Sequence, residues 1–253
     1  MNKTIGIFGG GQLGRMMAQA ALPLNIQCSF FEAETDCPAA ILGPVFSSKD
    51  PQALQAFIAS AEVFSLEFEN TPVADVDVLT QTKTLHPPRL ALATAQNRLA
   101  EKGLFDELAI PVAPYRAVDS LESLKQAVAE LGLPIVLKTV TGGYDGKGQF
   151  VLRSEDQIDT AWAELGPAKS LIAESFVKFS REVSIIAVRG QDGDVKTWAL
   201  AENHHHNGIL SHSIVPAPNS TDLQPVAQDY ITRLLNHLNY VGVLTLELFV
   251  TEQ

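Results

Sequence analysis

The chain has 253 residues, of which 46% are hydrophobic and 19% are charged, proportions that are ordinary for a soluble globular protein. At about 100–200 residues per domain, this length predicts two domains. The net charge is −11 and neither lysine nor arginine forms a block, which argues against a general nucleic-acid surface or a surface for anionic membranes.

The cysteine content and the N-terminus point to the cytoplasm. The only cysteines are Cys28 and Cys37, and we expect them to be reduced rather than joined in a disulfide. The first residues run directly into a strand pattern without a secretory leader, and no apolar stretch has the length of a membrane span. We therefore expect a cytoplasmic protein that binds neither membranes nor nucleic acid.

The first 89 residues are predicted to form a Rossmann-like domain with a parallel sheet. An apolar strand at 4–8 is followed by a glycine-rich turn, a helical pattern over 15–22 and a second strand at 26–32. A further helix is predicted at 53–60. This alternation of strands and helices is typical of βαβ units.

The glycine-rich turn has the spacing of a dinucleotide site. Gly9, Gly11 and Gly14 follow the G-x-G-x-x-G pattern, and Glu32 lies downstream. One alternative is therefore an NAD-dependent oxidoreductase whose Glu32 binds the ribose. The same spacing also occurs wherever a strand turns tightly into a helix, and this alternative leaves a second glycine-rich loop unexplained.

Acidic side chains follow the next predicted strand. Glu67, Glu69 and Asn70 lie at the C-terminal end of a strand at 63–68. Open α/β sheets bind ligands at that edge, so these residues are candidates for a substrate site. A short strand and a break at 84–88 end the first domain.

The remainder of the chain mixes helices with strands that are expected to pair antiparallel. A helix is predicted to begin at Asp119 or Ser120, either of which can serve as the N-cap, and to end at about Leu131. The other predicted helices are at 90–108, 155–165 and 222–238, and the predicted strands are at 134–139, 150–152, 171–174, 182–189, 195–200 and 241–250.

The second glycine-rich loop is the most informative motif. Four glycines fall within the seven positions 142–148, between two strands, and Lys138 and Lys147 stand before and inside the loop. Exposed backbone N–H groups beside two cations predict a phosphate site. The loop is not a Walker A motif, because Lys147 precedes Gly148 and a strand instead of Ser or Thr at the start of a helix. A flexible hairpin with solvated lysines is the alternative.

Glu247 is a candidate metal ligand. It stands between Leu246 and Leu248 in an apolar strand, where a buried carboxylate would need a partner or a metal ion. Magnesium prefers one or two carboxylates together with phosphates. Because a turn is predicted directly after this strand, we expect the sequence to be the N-terminal portion of a longer protein.

These motifs together resemble the ATP-grasp superfamily. Within it they are similar to the 5-(carboxyamino)imidazole ribonucleotide synthase family, the ATPase subunit of phosphoribosylaminoimidazole carboxylase. Biotin carboxylases and formate-dependent glycinamide ribonucleotide transformylases share the layout but carry different glycine-loop residues. The runs that carry the resemblance are GGGQLGRM from Gly9, TGGYDGKGQ from Thr141, NHHHNGIL from Asn203 and YVGV from Tyr240.

The resemblance implies a fold and a reaction. The α/β fold would comprise a pre-ATP-grasp domain at 1–89, a small ATP-grasp subdomain with a glycine-rich lid at 90–172, and part of the C-terminal α+β subdomain at 173–253. ATP, bicarbonate and 5-aminoimidazole ribonucleotide would give the N5-carboxylated ribonucleotide, ADP and phosphate through carboxyphosphate, in purine biosynthesis. The resemblance also implies Mg²⁺, a homodimer and delivery of the product to a carboxyaminoimidazole ribonucleotide mutase.

The resemblance assigns residues to each role. For ATP, Arg98 and Lys138 would contact the phosphates, and the lid over them would consist of Gly143, Tyr144, Asp145, Gly146, Lys147, Gly148 and Gln149. Glu174, Ser175, Phe176 and Val177 would hold the adenine through backbone groups and apolar contact. Glu182 would accept hydrogen bonds from the ribose hydroxyls, and His205 would contact the nucleotide. The catalytic set is Tyr144, Asp145 and Lys147, the ribonucleotide would contact Gln12, Leu13, Glu67 and Glu69, and Glu247 would bind the metal.

Two points of the assignment stay open at the level of sequence. Three adjacent histidines on a strand alternate faces and cannot all bind one ion, so His204 and His206 are taken as structural. A non-catalytic nucleotide sensor and an ATP-grasp ligase for another amine are alternatives to the carboxylation of the ribonucleotide.

Overall fold

The computed structural model describes residues 3–142, 148–166, 170–206 and 208–251. The chain divides into two compact units, Met1–Ala93 with Leu238–Gly242, and Thr94–His237 with Val243–Gln253. The domain boundaries expected at residues 89 and 172 remain predictions. Among the described residues, no helix is long and apolar enough to cross a membrane.

The first unit is a parallel five-stranded sheet with the order β3-β2-β1-β4-β5. This confirms the predicted Rossmann-like sheet. The unit contains β1 (Lys3–Phe8), α1 (Gln12–Ala21), β2 (Ile26–Glu32), β3 (Val45–Ser47), α2 (Ala53–Ala59), β4 (Val63–Leu66), α3 (Val73–Thr80), β5 (Thr84–Leu85) and α4 (Arg89–Ala95), with short 3₁₀ turns at Leu22–Leu24 and Ala40–Leu42.

The centre of this unit is a cluster of phenylalanines. The fully buried ring of Phe57 on α2 lies 5.1–5.9 Å, between centroids, from the rings of Phe8, Phe31, Phe46 and Phe64. Edge-to-face and stacked pairs at such distances add to the gain from burial. Phe57 therefore brings α2 into the aromatic core, and Ala53 and Ile58 of the same helix are buried in the same cluster.

The first sheet of the second unit is antiparallel, with the order β6-β9-β7-β8. One face packs on α6 and α7 through an apolar cluster that includes Leu124, Leu137 and Ala161. The elements are α5 (Arg98–Glu107), β6 (Tyr115–Val118), α6 (Leu121–Leu131), β7 (Ile135–Thr139), β8 (Gln149–Leu152), a 3₁₀ turn at Glu155–Gln157, α7 (Ile158–Leu165) and β9 (Leu171–Ser175).

Side-chain caps define the start of two helices in this unit. Asn97 accepts hydrogen bonds from the backbone N–H groups of Leu99 and Ala100, which begins α5 at Arg98. Of the two predicted caps of α6, the structure selects Ser120, which forms a capping box with Ser123. Such caps satisfy amide groups that the helix itself leaves unpaired.

The second sheet of this unit has the order β11-β10-β12-β13, with β14 also paired to β10. Along β10, Val183, Ile185 and Ala187 are buried on one face, and α8 packs against this strand. The elements are β10 (Arg181–Arg189), β11 (Val195–Thr197), β12 (Ala201–His206), β13 (Ile209–Ile214), α8 (Leu223–His237) and β14 (Gly242–Val250).

Five of these elements had no predicted range: β3, α3, β6, β12 and β13, although the three histidines of β12 were expected to lie on a strand. Strand β6 begins at Tyr115, directly after Pro114, and pairs with β9. Strand β13 is exposed along its whole length, so the alternation of apolar and polar residues that marks a half-buried strand is missing. Short elements of this kind depend on their neighbours in the sheet.

Replacement of Phe57 with alanine should destabilise the first unit by about 3–5 kcal/mol, because it empties the centre of the aromatic cluster. Chemical denaturation of the protein, followed by circular dichroism, measures the loss. The matched control is Phe68→Ala, since Phe68 is 49% exposed and should cost less than about 1 kcal/mol. Equal losses in the two variants would contradict the assignment of Phe57 as the centre of the core.

Candidate functional site

The predicted glycine hairpin is formed by β7 and β8. These strands pair antiparallel with Lys138 opposite Gln149, so the lysine stands at the end of β7 next to the loop. Gly142 and Gly148 have φ angles of 68° and 72°, which favour glycine at both positions. The predicted lid residues Gly143, Tyr144, Asp145, Gly146 and Lys147 lie outside the described residues.

A buried carboxylate lies between two lysines beside this hairpin. Oε2 of Glu174 on β9 is 3.1 Å from Nζ of Lys138 and 3.5 Å from Nζ of Lys102 on α5. The side chains of Glu174 and Lys102 are only 10% and 13% exposed, and that of Lys138 is 26% exposed. The predicted role of Glu174 concerned its backbone, and the structure adds an ion pair through its side chain.

The strand register explains why Lys138 and Glu174 meet. Lys138 is opposite Ile172 in the β7–β9 pair, so Glu174 lies two positions along the neighbouring strand, on the same face. Diagonal neighbours of this kind are within reach of long side chains. The face that carries them is the opposite of the face that packs on α6 and α7, because Leu137 and Ala173 belong to that core.

Arg98 ties the start of α5 to the glycine loop. Its backbone N–H donates to the carbonyl of Val140 at 2.9 Å. Its guanidinium Nη1 donates to the carbonyls of Thr139 at 3.0 Å and Gly142 at 2.7 Å. The structure therefore brings together Arg98 and Lys138, the two residues predicted to contact phosphates.

A second carboxylate, that of Glu101, lies in the same cluster of charges. Burial raises the pKa of Glu101, and the charge of Glu174 raises it further, whereas Lys102, Arg98 and Lys138 lower it. The burial is the largest of these effects, so the folded protein holds the proton of Glu101 more tightly than a solvated glutamate does.

Lys102 was not among the predicted site residues. It lies one helical turn after Arg98 on α5, and residues spaced by four on a helix share a face. That spacing was visible in the sequence, but the side of α5 that faces the sheet was not.

The predicted ribose and nucleotide contacts, Glu182 and His205, lie side by side. They project from the paired strands β10 and β12, with Nδ1 of His205 3.3 Å from Oε2 of Glu182. Each side chain is about 30% exposed, so both retain access to a ligand. The strand register shifts between His204 and His205, which is an irregularity of the β12–β13 pair.

The predicted adenine segment, Glu174 to Val177, begins with the last two residues of β9 and continues into the loop after it. The backbone N–H of Ser175 donates to the carbonyl of Pro114, and that of Phe176 donates to the carbonyl of Pro134. The ring of Phe176 is 39% exposed, with the guanidinium of Arg153 5.8 Å from its centroid. Val177, at the next position, is half-buried.

The three adjacent histidines have different surroundings. The ring of His204 stacks on that of His212 with a centroid distance of 4.6 Å. Its Nε2 lies 3.1 Å from Glu202, close enough for an ion pair but not aligned for a hydrogen bond. Within the described residues, no group of three His, Cys, Asp or Glu side chains is arranged to hold a metal ion.

The expectation that Glu247 is buried was wrong. Strand β14 alternates, with Leu246 buried and Glu247 exposed, so the carboxylate needs no partner on grounds of burial. An exposed carboxylate still suits Mg²⁺, which takes one or two carboxylates and completes its shell with phosphates and water. The case for a metal at Glu247 therefore depends on the resemblance alone.

In the first unit, carboxylates of the protein accept hydrogen bonds from the backbone N–H groups of the glycine-rich turn. Glu67 accepts hydrogen bonds from the backbone N–H groups of Gly11 at 2.7 Å and Leu13 at 3.1 Å. Glu32 accepts one from Gly10 at 3.0 Å. A Cβ atom at Gly9 or Gly11 would stand 2.5 Å from an oxygen of Glu67.

This arrangement argues against the dinucleotide alternative. A pyrophosphate at the start of α1 would have to displace the carboxylate of Glu67, which already binds at the positive end of the helix dipole. Glu32 is engaged with the turn instead of being directed at a ribose. The predicted substrate residues Gln12, Leu13 and Glu69 are exposed in this unit.

Comparisons with known proteins agree with the predicted family and fold. A model of the ATP-grasp domain matches residues 103–253, and a model of the ribonucleotide synthetase preATP-grasp domain matches residues 1–96. The N5-carboxyaminoimidazole ribonucleotide synthase of Brucella melitensis is 44% identical over 252 residues, which are 98% of this chain and 69% of the relative.

Solved structures of similar proteins share the fold. The N5-carboxyaminoimidazole ribonucleotide synthetase from Thermus thermophilus is 41% identical, with a TM-score of 0.91 over 98% of this chain and 68% of its own. The Aspergillus clavatus synthase in complex with ADP and 5-aminoimidazole ribonucleotide is 26% identical, with a TM-score of 0.89 over 99% of this chain and 67% of its own.

The chain spans about two thirds of the length of these relatives. The resemblance inferred from four sequence runs is confirmed by the family models, the Brucella relative and the solved structures. Because the ATP-grasp model covers more than half of the chain and the Brucella relative is 44% identical across nearly all of it, the chain belongs to the N5-carboxyaminoimidazole ribonucleotide synthase family of ATP-grasp proteins.

Proposed function

We propose that the protein containing this chain carboxylates 5-aminoimidazole ribonucleotide with bicarbonate and ATP. The products are N5-carboxyaminoimidazole ribonucleotide, ADP and phosphate. The observation that carries the proposal is the cluster of Arg98, Lys102 and Lys138 beside the glycine hairpin, in a chain of this family. The Aspergillus clavatus relative, whose structure contains ADP and 5-aminoimidazole ribonucleotide, supports the choice of ligands.

The cationic cluster suits phosphoryl transfer. An oxygen of bicarbonate attacks the γ-phosphorus of ATP, and ADP leaves, which gives carboxyphosphate. The amine of the ribonucleotide then takes up the carboxyl group, directly or as released CO₂, while phosphate leaves and the nitrogen loses a proton. Phosphoryl transfer needs alignment and neutralisation of charge more than covalent chemistry, and Arg98 and Lys138 would supply both to the phosphates.

The other nucleotide contacts follow from the neighbouring strands. Glu182 would accept hydrogen bonds from the ribose hydroxyls, with His205 beside it as a further nucleotide contact. The backbone at the end of β9 and just after it, from Glu174 to Val177, would bind the adenine ring. The lid residues from Gly143 to Gln149, including the proposed catalytic residues Tyr144, Asp145 and Lys147, would exclude water from the carboxyphosphate.

The remaining assignments come from the family. Gln12, Leu13, Glu67 and Glu69 would bind the ribonucleotide, with Glu67 also holding the glycine-rich turn in shape. Glu247 would contribute one ligand to Mg²⁺, whose charge would offset that of the phosphates. A homodimer, a cytoplasmic location and delivery of the product to the mutase are proposed on the same basis.

Release of phosphate by the full-length protein tests the proposed reaction. With Mg-ATP and bicarbonate, we expect strong stimulation by 5-aminoimidazole ribonucleotide, because the amine draws off carboxyphosphate that otherwise only hydrolyses. Intact binding of ATP without any stimulation would contradict the proposal. It would favour a ligase for another amine, which profiling of other amines identifies, or a sensor without turnover.

Lys138→Ala should weaken the binding of ATP at least about tenfold, because it removes a charged contact to the phosphates. The fold should persist, since Glu174 keeps Lys102 as a partner. Calorimetric titration of ATP measures the effect, and Lys125→Ala on the exposed side of α6 is the matched control. Unchanged affinity in Lys138→Ala would remove this residue from the phosphate site.

Glu101→Gln should stabilise the folded protein at neutral pH. Because the folded protein raises the pKa of Glu101 above its ordinary 4.5, the parent loses stability as the pH rises from that value through the folded pKa. Glutamine does not titrate. The free energy of unfolding of the variant should therefore exceed that of the parent by an amount that grows over this pH interval and vanishes below it.

Denaturation midpoints between pH 4.5 and 8 measure this dependence, and Glu164→Gln, at an exposed position of α7, is the control. A variant that is less stable than the parent throughout this range would contradict the assignment of burial as the dominant effect on Glu101.

A further inference from the structure

We propose that Lys102 is a positioning residue of the nucleotide site. Lys102 holds the carboxylate of Glu174, and Glu174 sets where the ammonium group of Lys138 stands. The proposal rests on the proposed function in one respect, that Lys138 contacts the phosphates of the nucleotide. It assigns to α5 a part in binding that extends beyond Arg98.

The first argument is geometric. Both ammonium groups approach the same atom, Oε2 of Glu174, at 3.1 Å for Lys138 and 3.5 Å for Lys102. The closer contact also has the geometry of a hydrogen bond. A carboxylate with 10% of its side chain exposed cannot exchange these partners for water without a large cost in free energy. Glu174 therefore stays between the two lysines.

The second argument is that Lys102 is itself held in place by a contact with an aromatic ring. Its Nζ lies 5.7 Å from the centroid of the Tyr115 ring, a distance at which a cation is attracted to the face of an aromatic ring. The hydroxyl of Tyr115 donates to Asp106, one turn further along α5. Tyr115 is also directly opposite Glu174 in the β6–β9 pair. Lys102 is thus fixed by the same strand pair that carries its partner.

The third argument concerns charge. One lysine and Glu174 alone would make a neutral pair, which attracts a phosphate weakly. With Lys102 present, the two lysines and the one carboxylate have a net positive charge. The ammonium group of Lys138 is then less fully neutralised by Glu174 and attracts the nucleotide phosphates more strongly. In Lys102→Met, Lys138 would be the remaining lysine paired with Glu174, and the pair would be neutral. The affinity for ATP should therefore fall although no phosphate contact is deleted.

The experiment is a double-mutant cycle on the full-length protein. The variants are Lys102→Met, Lys102→Arg, Glu174→Gln and Lys102→Met with Glu174→Gln, and the control is Lys125→Met at an exposed position. Calorimetric titration at a temperature where every variant is folded gives the dissociation constants of ATP and ADP. Thermal denaturation identifies that temperature, which separates loss of affinity from loss of stability.

We expect Lys102→Met to weaken the binding of ATP at least about tenfold and Lys102→Arg by no more than about threefold, since arginine retains the charge. Adding Glu174→Gln to Lys102→Met should recover most of the loss, because the carboxylate that captures Lys138 is gone. A residue with a purely structural role would not show this recovery.

Parent-like affinity in Lys102→Met overturns the proposal, and so does a double variant that binds no better than Lys102→Met. Failure of the proposed function gives a different result. If the parent binds ATP but 5-aminoimidazole ribonucleotide does not stimulate phosphate release, the reaction is wrong while the cycle still decides the role of Lys102. If the parent binds no ATP, both are wrong.

Discussion

The buried carboxylate of Glu174 is the constraint on which the candidate nucleotide site depends. A charged group at 10% exposure must be paired, and its two partners come from different elements, β7 and α5. Through this one group the sheet and the helix are held in a fixed arrangement beside the glycine hairpin. Arg98 strengthens the same arrangement with hydrogen bonds to the end of β7 and the start of the loop.

The first unit uses a carboxylate in a different way. Glu67 fills the amide-lined turn at the start of α1, and the glycines of the turn leave room for it. A sequence motif that commonly precedes a bound pyrophosphate is here satisfied from within the protein. The two glycine-rich segments therefore differ in chemistry. The N–H groups of the turn before α1 donate to the carboxylate of Glu67, whereas the loop after β7 is flanked by cations.

Much of the fold could be predicted from the sequence, because long apolar strands and capped helices carry strong local signals. The start of α6 at Asp119 or Ser120, the glycine hairpin after Lys138 and the parallel first sheet all follow from such patterns. The short strands β3, β6 and β13 and helix α3 could not, since their stability comes from neighbours that are remote in sequence. The error at Glu247 has the same origin, because an apolar run does not reveal which face of a strand is covered.

The sequence by itself determined the family and the types of residue available for nucleotide chemistry, because glycine loops, caps and isolated charges in apolar strands are local features. Only the tertiary structure decided which charges meet. Lys102, Lys138 and Glu174 are separated by up to 72 residues in the sequence. The register of β7 against β9 and the packing of α5 bring the ammonium groups of both lysines within 3.5 Å of Oε2 of Glu174. A register is a property of paired strands, so no single segment contains it.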